Sequence, residues 1–104
     1  MAYKLLLTAT YQQKYYAALD YIVYELRNTE AAKHLADDVD AVYAQLAATP
    51  YMYSISHDQF LAARGYRQAP IKGYNITYTV AEDTHTVYLL GFSHQRQDQV
   101  HALL

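Results

Sequence analysis

The spacing of the apolar residues changes once along this chain, and that change restricts the fold more than any other feature. Tyr11, Tyr15, Ala18, Leu19, Ile22, Val23 and Leu26 recur at three- and four-residue intervals, which places them on one face of a helix. Ala32, Leu35, Val39, Val42 and Leu46 continue in the same manner as a near-heptad stripe. Beyond residue 70 the period falls to two: Tyr74, Ile76, Tyr78 and Val80 alternate with Asn75, Thr77 and Thr79. That is the pattern of an antiparallel strand with one face buried. Two consecutive helices followed by strands grouped together predict an α+β domain rather than a βαβ repeat.

Local signals set the boundaries. AYKLLL reads as a strand over residues 2–7, and helices are expected near 10–27 and 30–48. Thr10 with Gln13 three residues on reads as a capping box. Asn28 is placed to cap the second helix, and Glu30 suits the positive end of its dipole. The short connection between them predicts an antiparallel helical hairpin. Pro50 closes the second helix, and the stretch up to residue 64 reads as irregular. Strands follow near 65–71, 74–80 and 85–92. Lys72-Gly73 is a two-residue turn in which Gly73 supplies the positive φ of a tight hairpin. AEDT is a second turn. Pro70 has no amide proton to give a ladder, so its strand belongs at an edge. QDQVHALL reads as a final helical turn. The expected order is β-α-α-β-β-β in one domain spanning 1–104, with the hairpin on one face of a curved antiparallel sheet.

Composition removes several function classes. No apolar run approaches the ~20 residues of a membrane span, and the four-residue apolar core of the N-terminus is too short for a secretory signal. With no cysteine there is neither a disulfide frame nor a thiolate metal site. His34, His85 and His101 show no ligand spacing, so neither a metal nor a cofactor is expected, and a cytoplasmic protein is the economical reading. The net charge is −2, from 8 basic and 10 acidic residues. This argues against broad nucleic-acid binding, which needs a positive excess. The run Asp37, Asp38, Asp40 reads as a solvated helix face. From His57 to Lys72 the balance reverses, with Arg64, Arg67 and Lys72 against Asp58 alone. Thirteen tyrosines suit both a small core and a recognition surface.

The second half carries a more specific arrangement. Gly65-Tyr66-Arg67, Tyr74, Tyr78, Thr86-Val87 and the run His94, Arg96, Asp98 follow the helical hairpin that holds Tyr21-Ile22 and Ala31-Ala32. In order and spacing this resembles the RelE/ParE superfamily of toxins from bacterial type II toxin–antitoxin pairs, across essentially the whole chain. The resemblance implies a toxin held inactive by a cognate antitoxin, as a dimer or a toxin–antitoxin hetero-oligomer. It also implies one of two targets. RelE-like members cleave messenger RNA on the ribosome, and ParE-like members inhibit DNA gyrase without catalytic residues. A non-toxic interaction module of the same fold is a third outcome.

Cleavage through the RNA 2′-hydroxyl needs a base, positive charge on the phosphate and an acid for the leaving oxygen. Histidine serves as acid or base, and arginine grips phosphate with a bidentate fork. By position, the resemblance carries these roles onto Arg67, His94 and Arg96, which would face one another across neighbouring strands. Arg64, Lys72 and Tyr66 are the expected RNA- and phosphate-binding residues around them, and Tyr66, Tyr74 and Tyr78 are candidate base-stacking residues. Each has a plainer reading: a salt bridge to the hairpin for Arg67, a loop carbonyl for His94, a pair with Asp98 for Arg96. For Lys72 and Arg64 it is a solvated surface, and for Tyr66, Tyr74 and Tyr78 it is core packing. Two departures from the family pattern are the acidic balance and Ser93, where a basic residue often precedes the histidine.

Overall fold

A computed structural model describes residues 2–95. Its elements follow in the order β1 (Lys4–Leu7), α1 (Ala9–Asp20), a π-helical turn (Tyr21–Glu25), α2 (Thr29–Ala48), a short α3 (Gln59–Ala63), β2 (Arg67–Ile71), β3 (Tyr74–Ala81), a 3₁₀ turn (Glu82–Thr84) and β4 (Thr86–His94). The expected α+β architecture is present. The expected final helical turn, which includes Arg96 and His101 or adjoins them, lies outside the described residues. Among the described residues no helix is long and apolar enough to cross a membrane.

The sheet order is β1-β4-β3-β2. It departs from the all-antiparallel expectation at one place, since β1 pairs with β4 in parallel, Lys4 opposite Thr86 through Leu7 opposite Leu89. The helical hairpin explains this. It returns the chain to the end of the sheet where it began, with the Tyr3 amide donating to the Ala47 carbonyl at 2.7 Å. β2 therefore runs in the same direction as β1, its first residue Arg67 lying in the row where β1 ends at Leu7, and two hairpin reversals leave β4 running the same way. The Lys72-Gly73 turn forms as expected, with Ile71 opposite Tyr74 and Gly73 at φ +80°. Pro70 lies on the edge strand β2.

The first helix cap falls elsewhere than the sequence pattern suggests. Thr8, not Thr10, is the N-cap: its Oγ1 accepts from the Tyr11 amide at 3.2 Å and donates to the Leu89 carbonyl at 2.8 Å. The strand register fixes Thr8 at the end of β1, so the helix starts as soon as the strand stops. Asn28 caps α2 as expected, accepting from the Ala31 amide. All five stripe residues of α2 are buried. On the first helix Tyr11, Tyr15 and Ile22 are buried, yet Leu26 is 57% exposed. The π-turn holds an extra residue relative to an α-turn, which rotates Leu26 off the apolar face. The stretch expected to be irregular contains α3, capped by Asp58.

The core lies between the hairpin and one face of the sheet: Tyr11, Tyr15, Val39, Leu46, Ile76, Tyr78, Val87, Leu89 and Phe92. The register between β3 and β4 slips at Thr77/Tyr78, where Thr77 faces Gly91 and Tyr78 faces Leu89, so Leu90 is an extra residue in β4. This β-bulge lets Ile76 and Tyr78 share the core face with both Leu89 and Phe92.

Candidate functional site

The end of β4 is held in place by the residue that follows it. The Gln95 amide donates to the Gly73 carbonyl at 3.0 Å, and its side-chain amide donates to the Ile71 carbonyl at 3.3 Å. These bonds pin the last strand to the β2–β3 turn and place His94 directly opposite Tyr74. His94 stays exposed on this rigid end. A run of rings connects it to the core. The Tyr74 ring meets His94 edge-on at 5.4 Å and stacks on Phe92 at 5.1 Å, and Phe92 in turn meets Tyr15 at 5.1 Å.

A cleft of about 330 Å³ opens here, between α1 and the ends of β3 and β4. Lys14, Ala17 and Tyr21 form its helical wall; Tyr74, Phe92 and His94 form the opposite one. Burial raises the Tyr74 phenol above its ordinary pKa, and the neighbouring Tyr21 adds to the effect. The cleft thus gathers an imidazole, an ammonium group and two phenols over an apolar floor. Lys14 and Tyr21 are not among the residues expected from the sequence. They lie seven apart on α1 and its continuation, with Ala17 and Ala18 between them. That spacing puts them on one helix face, with small residues leaving the gap.

Arg67 is not part of this cleft. It opens β2 opposite Tyr78, in the row that continues to Leu89, whereas His94 shares a row with Tyr74 and Ile71. The rows are four residues apart, about 13 Å along the strands, and the core residues Ile76 and Phe92 lie between them. The expected face-to-face placement of Arg67 and His94 therefore does not occur. Arg67 instead binds the connection before β2. Its Nη1 donates to the Tyr53 carbonyl at 2.7 Å, and its guanidinium carbon is 5.0 Å from the centre of the Tyr51 ring. The backbone of that connection borders β2 through a bridge between Ile55 and Arg67.

The other candidates are dispersed. Arg64 ends α3, its guanidinium 3.6 Å above the Phe60 ring and bonded to the Phe60 carbonyl. Tyr66 lines a separate cleft with Thr8, Thr10 and Leu90. Tyr78 is fully buried and donates to the Pro50 carbonyl at 2.6 Å, which removes it as a stacking surface; burial pushes its phenol up to about 12 against the opposing charge of Arg67. Of the expected phosphate-binding residues, Lys72 is the one near His94, in a second cleft that shares Tyr74 as a wall. Ser93 is buried, and its hydroxyl has no partner among the described residues. Arg96 and Asp98 fall outside the described residues. Among the described residues no three histidine or carboxylate groups are placed to hold a metal ion.

Over residues 5–99 the chain matches the model of the family described as "ParE toxin of type II toxin-antitoxin system, parDE". The chain belongs to that toxin family. Its fold is similar to that of a chain in the crystal structure of the toxin–antitoxin complex RelBE2 from Mycobacterium tuberculosis, with a TM-score of 0.65 and 17% sequence identity, covering 91% of this chain and 100% of that one. No match is found among curated proteins. The toxin's fold and superfamily thus agree with the resemblance carried by its sequence motifs.

Proposed function

We propose that this toxin arrests growth in the cytoplasm by cleaving messenger RNA on the ribosome, at the sheet end marked by His94, and that a cognate antitoxin holds it inactive. The observation that carries this reading is the content of the His94 cleft. One cavity holds a proton-transfer group in His94, a phosphate-binding charge in Lys14, and aromatic rings in Tyr21 and Tyr74. These match the acid or base, the electrostatic clamp and the stacking surface that the reaction needs. Lys14 takes the place in this scheme that the family motif gives to Arg67. The net charge of −2 is compatible with it, because a ribosome that already holds the RNA supplies much of the positioning.

Gyrase inhibition is the second reading. It is favoured by the exposed side chains Tyr16, Tyr24 and Leu26 along α1 and the π-turn, the last two 73% and 57% exposed, which suit a protein contact. One experiment separates the two. After induction, 5′ ends of cellular messages are mapped, and supercoiling by purified gyrase is assayed with the same toxin. Codon-phased cleavage that disappears in His94→Ala and Lys14→Ala supports RNA cleavage. Inhibited supercoiling with intact messages, and toxicity surviving His94→Ala, replaces it with the gyrase reading. Co-expression with the adjacent reading frame tests the antitoxin, whose presence should restore growth.

A further inference from the structure

The π-turn contributes to a second cleft on the far side of Tyr74. Tyr21 and Ile22 are consecutive residues of this turn, yet they fall on either side of Tyr74: Tyr21 lines the His94 cleft and Ile22 lines its neighbour. The second cleft measures about 240 Å³. Its floor is apolar, from Ile22 and Leu35, and its rim carries His34 and Asp38 from α2 and Lys72 from the β2–β3 turn. Tyr74, common to both linings, is the partition between the two compartments.

Resting on the RNA reading above, we propose that the second cleft holds the nucleotide adjacent to the one at His94, with Lys72 on the phosphate joining the two and Asp38, beside His34, reading the edge of the base. Charge supports an anionic ligand spanning both compartments. The chain has four lysines, and two of them, Lys14 and Lys72, line these clefts on a protein of net charge −2. Among the described lining residues Asp38 is the one carboxylate. An acidic peptide would satisfy the lysines but be repelled by Asp38. A base carrying an exocyclic amino group satisfies both, because a carboxylate accepts from that group while the lysine meets the phosphate. Adenine, cytosine and guanine carry such a group and uracil does not. The ligand class is therefore single-stranded RNA with an amino-bearing base in the second compartment, its ring against the apolar floor.

The test uses the full chain carrying His94→Gln, so that RNA is bound without being cut, and labelled hexamers of uridine, cytidine and adenosine at low salt. Cytidine and adenosine hexamers should bind about tenfold more tightly than uridine. Lys72→Ala should weaken all three by roughly five- to tenfold, as loss of a phosphate contact does, and Lys72→Arg should restore them. Asp38→Ala should abolish the preference among bases. Lys33→Ala, exposed on α2 and outside both clefts, should change nothing. If Lys14→Ala weakens binding while Lys72→Ala does not, the second compartment is unused and this inference fails while the cleavage reading stands. If Asp38→Ala tightens every hexamer equally, Asp38 acts only as a charge and base reading is overturned. If hexaglutamate displaces RNA and no base preference exists, the groove is an acidic-peptide site and the inference is wrong. No affinity for any hexamer overturns this inference, while the cleavage reading, in which the ribosome holds the RNA, is decided separately by the mapped message ends.

Discussion

Arg67 offers the clearest test of the site assignment, because sequence position and structure give it opposite jobs. Replacing it by alanine removes a charged donor from the Tyr53 carbonyl and a cation from beside the Tyr51 ring. A hydrogen bond from a charged group contributes about 1.5–3 kcal/mol, and a cation–π contact at an open site about 0.5–1 kcal/mol. Arg67 is only half-buried, so the lower part of that range applies, and about 2 kcal/mol is the expected loss. For a domain of this size that corresponds to an unfolding midpoint lower by roughly 8–15 °C, or by about 1 M in urea. Purified Arg67→Ala, followed by circular dichroism through thermal and urea unfolding, should show this shift. Toxicity at equal soluble concentration and permissive temperature should persist. Arg67→Lys should recover part of the stability, since an ammonium reaches one carbonyl but lacks the planar fork that also lies against the ring. An Arg67→Ala protein that unfolds at the wild-type midpoint yet loses all cleavage would refute the structural role and return Arg67 to the chemistry.

Tyr78→Phe should cost about 1–3 kcal/mol in urea unfolding, because the buried Pro50 carbonyl loses its donor and gains none. Thr8→Ala should cost about 1 kcal/mol by the same assay, through the lost cap of α1. His94→Ala should lower cleavage by about 10²–10⁴-fold with its unfolding midpoint unchanged, the range for loss of an acid or base. Stability should also fall at alkaline pH. Burial pushes the phenols of Tyr15 and Tyr78 up to about 12, and a hydrogen bond to Glu82 does the same for Tyr51. A folded-state pKa raised above 10 gives stability that is fully present below pH 10 and lost as pH rises towards 12, which a series of melts from pH 8 to 12 will show. Glu82 works in the opposite direction. Hydrogen bonds from Tyr51 and Tyr3 lower its pKa, so its contribution is present above the ordinary glutamate range and is lost as pH falls through the lowered value. Glu82→Gln should remove that acid-side dependence.

Much of the fold is legible from periodicity alone. The α2 stripe, the Asn28 cap, the Gly73 turn and the edge position of Pro70 all form as their local chemistry requires, because each depends on residues within a few positions of one another. The toxin resemblance is likewise legible in the order of its motifs. The site is less so. His94 stands out in sequence because a histidine closes an apolar strand. Lys14 and Tyr21 do not, because a helix face tells which residues share a side and not which strand end that side will meet.

The remaining features were decided in three dimensions. Whether β1 ran parallel to β4 depended on where the hairpin delivered the chain, marked by Tyr3 beside Ala47, and no local pattern encodes that return. The exposure of Leu26 depended on a π-turn interrupting an otherwise regular period. The fate of Arg67 depended on register: four residues of β2 and the core beneath them separate it from His94. Residue type determined what each side chain could do. Only packing decided which of them could do it together, because distance across a sheet is set by strand pairing and not by position in the chain.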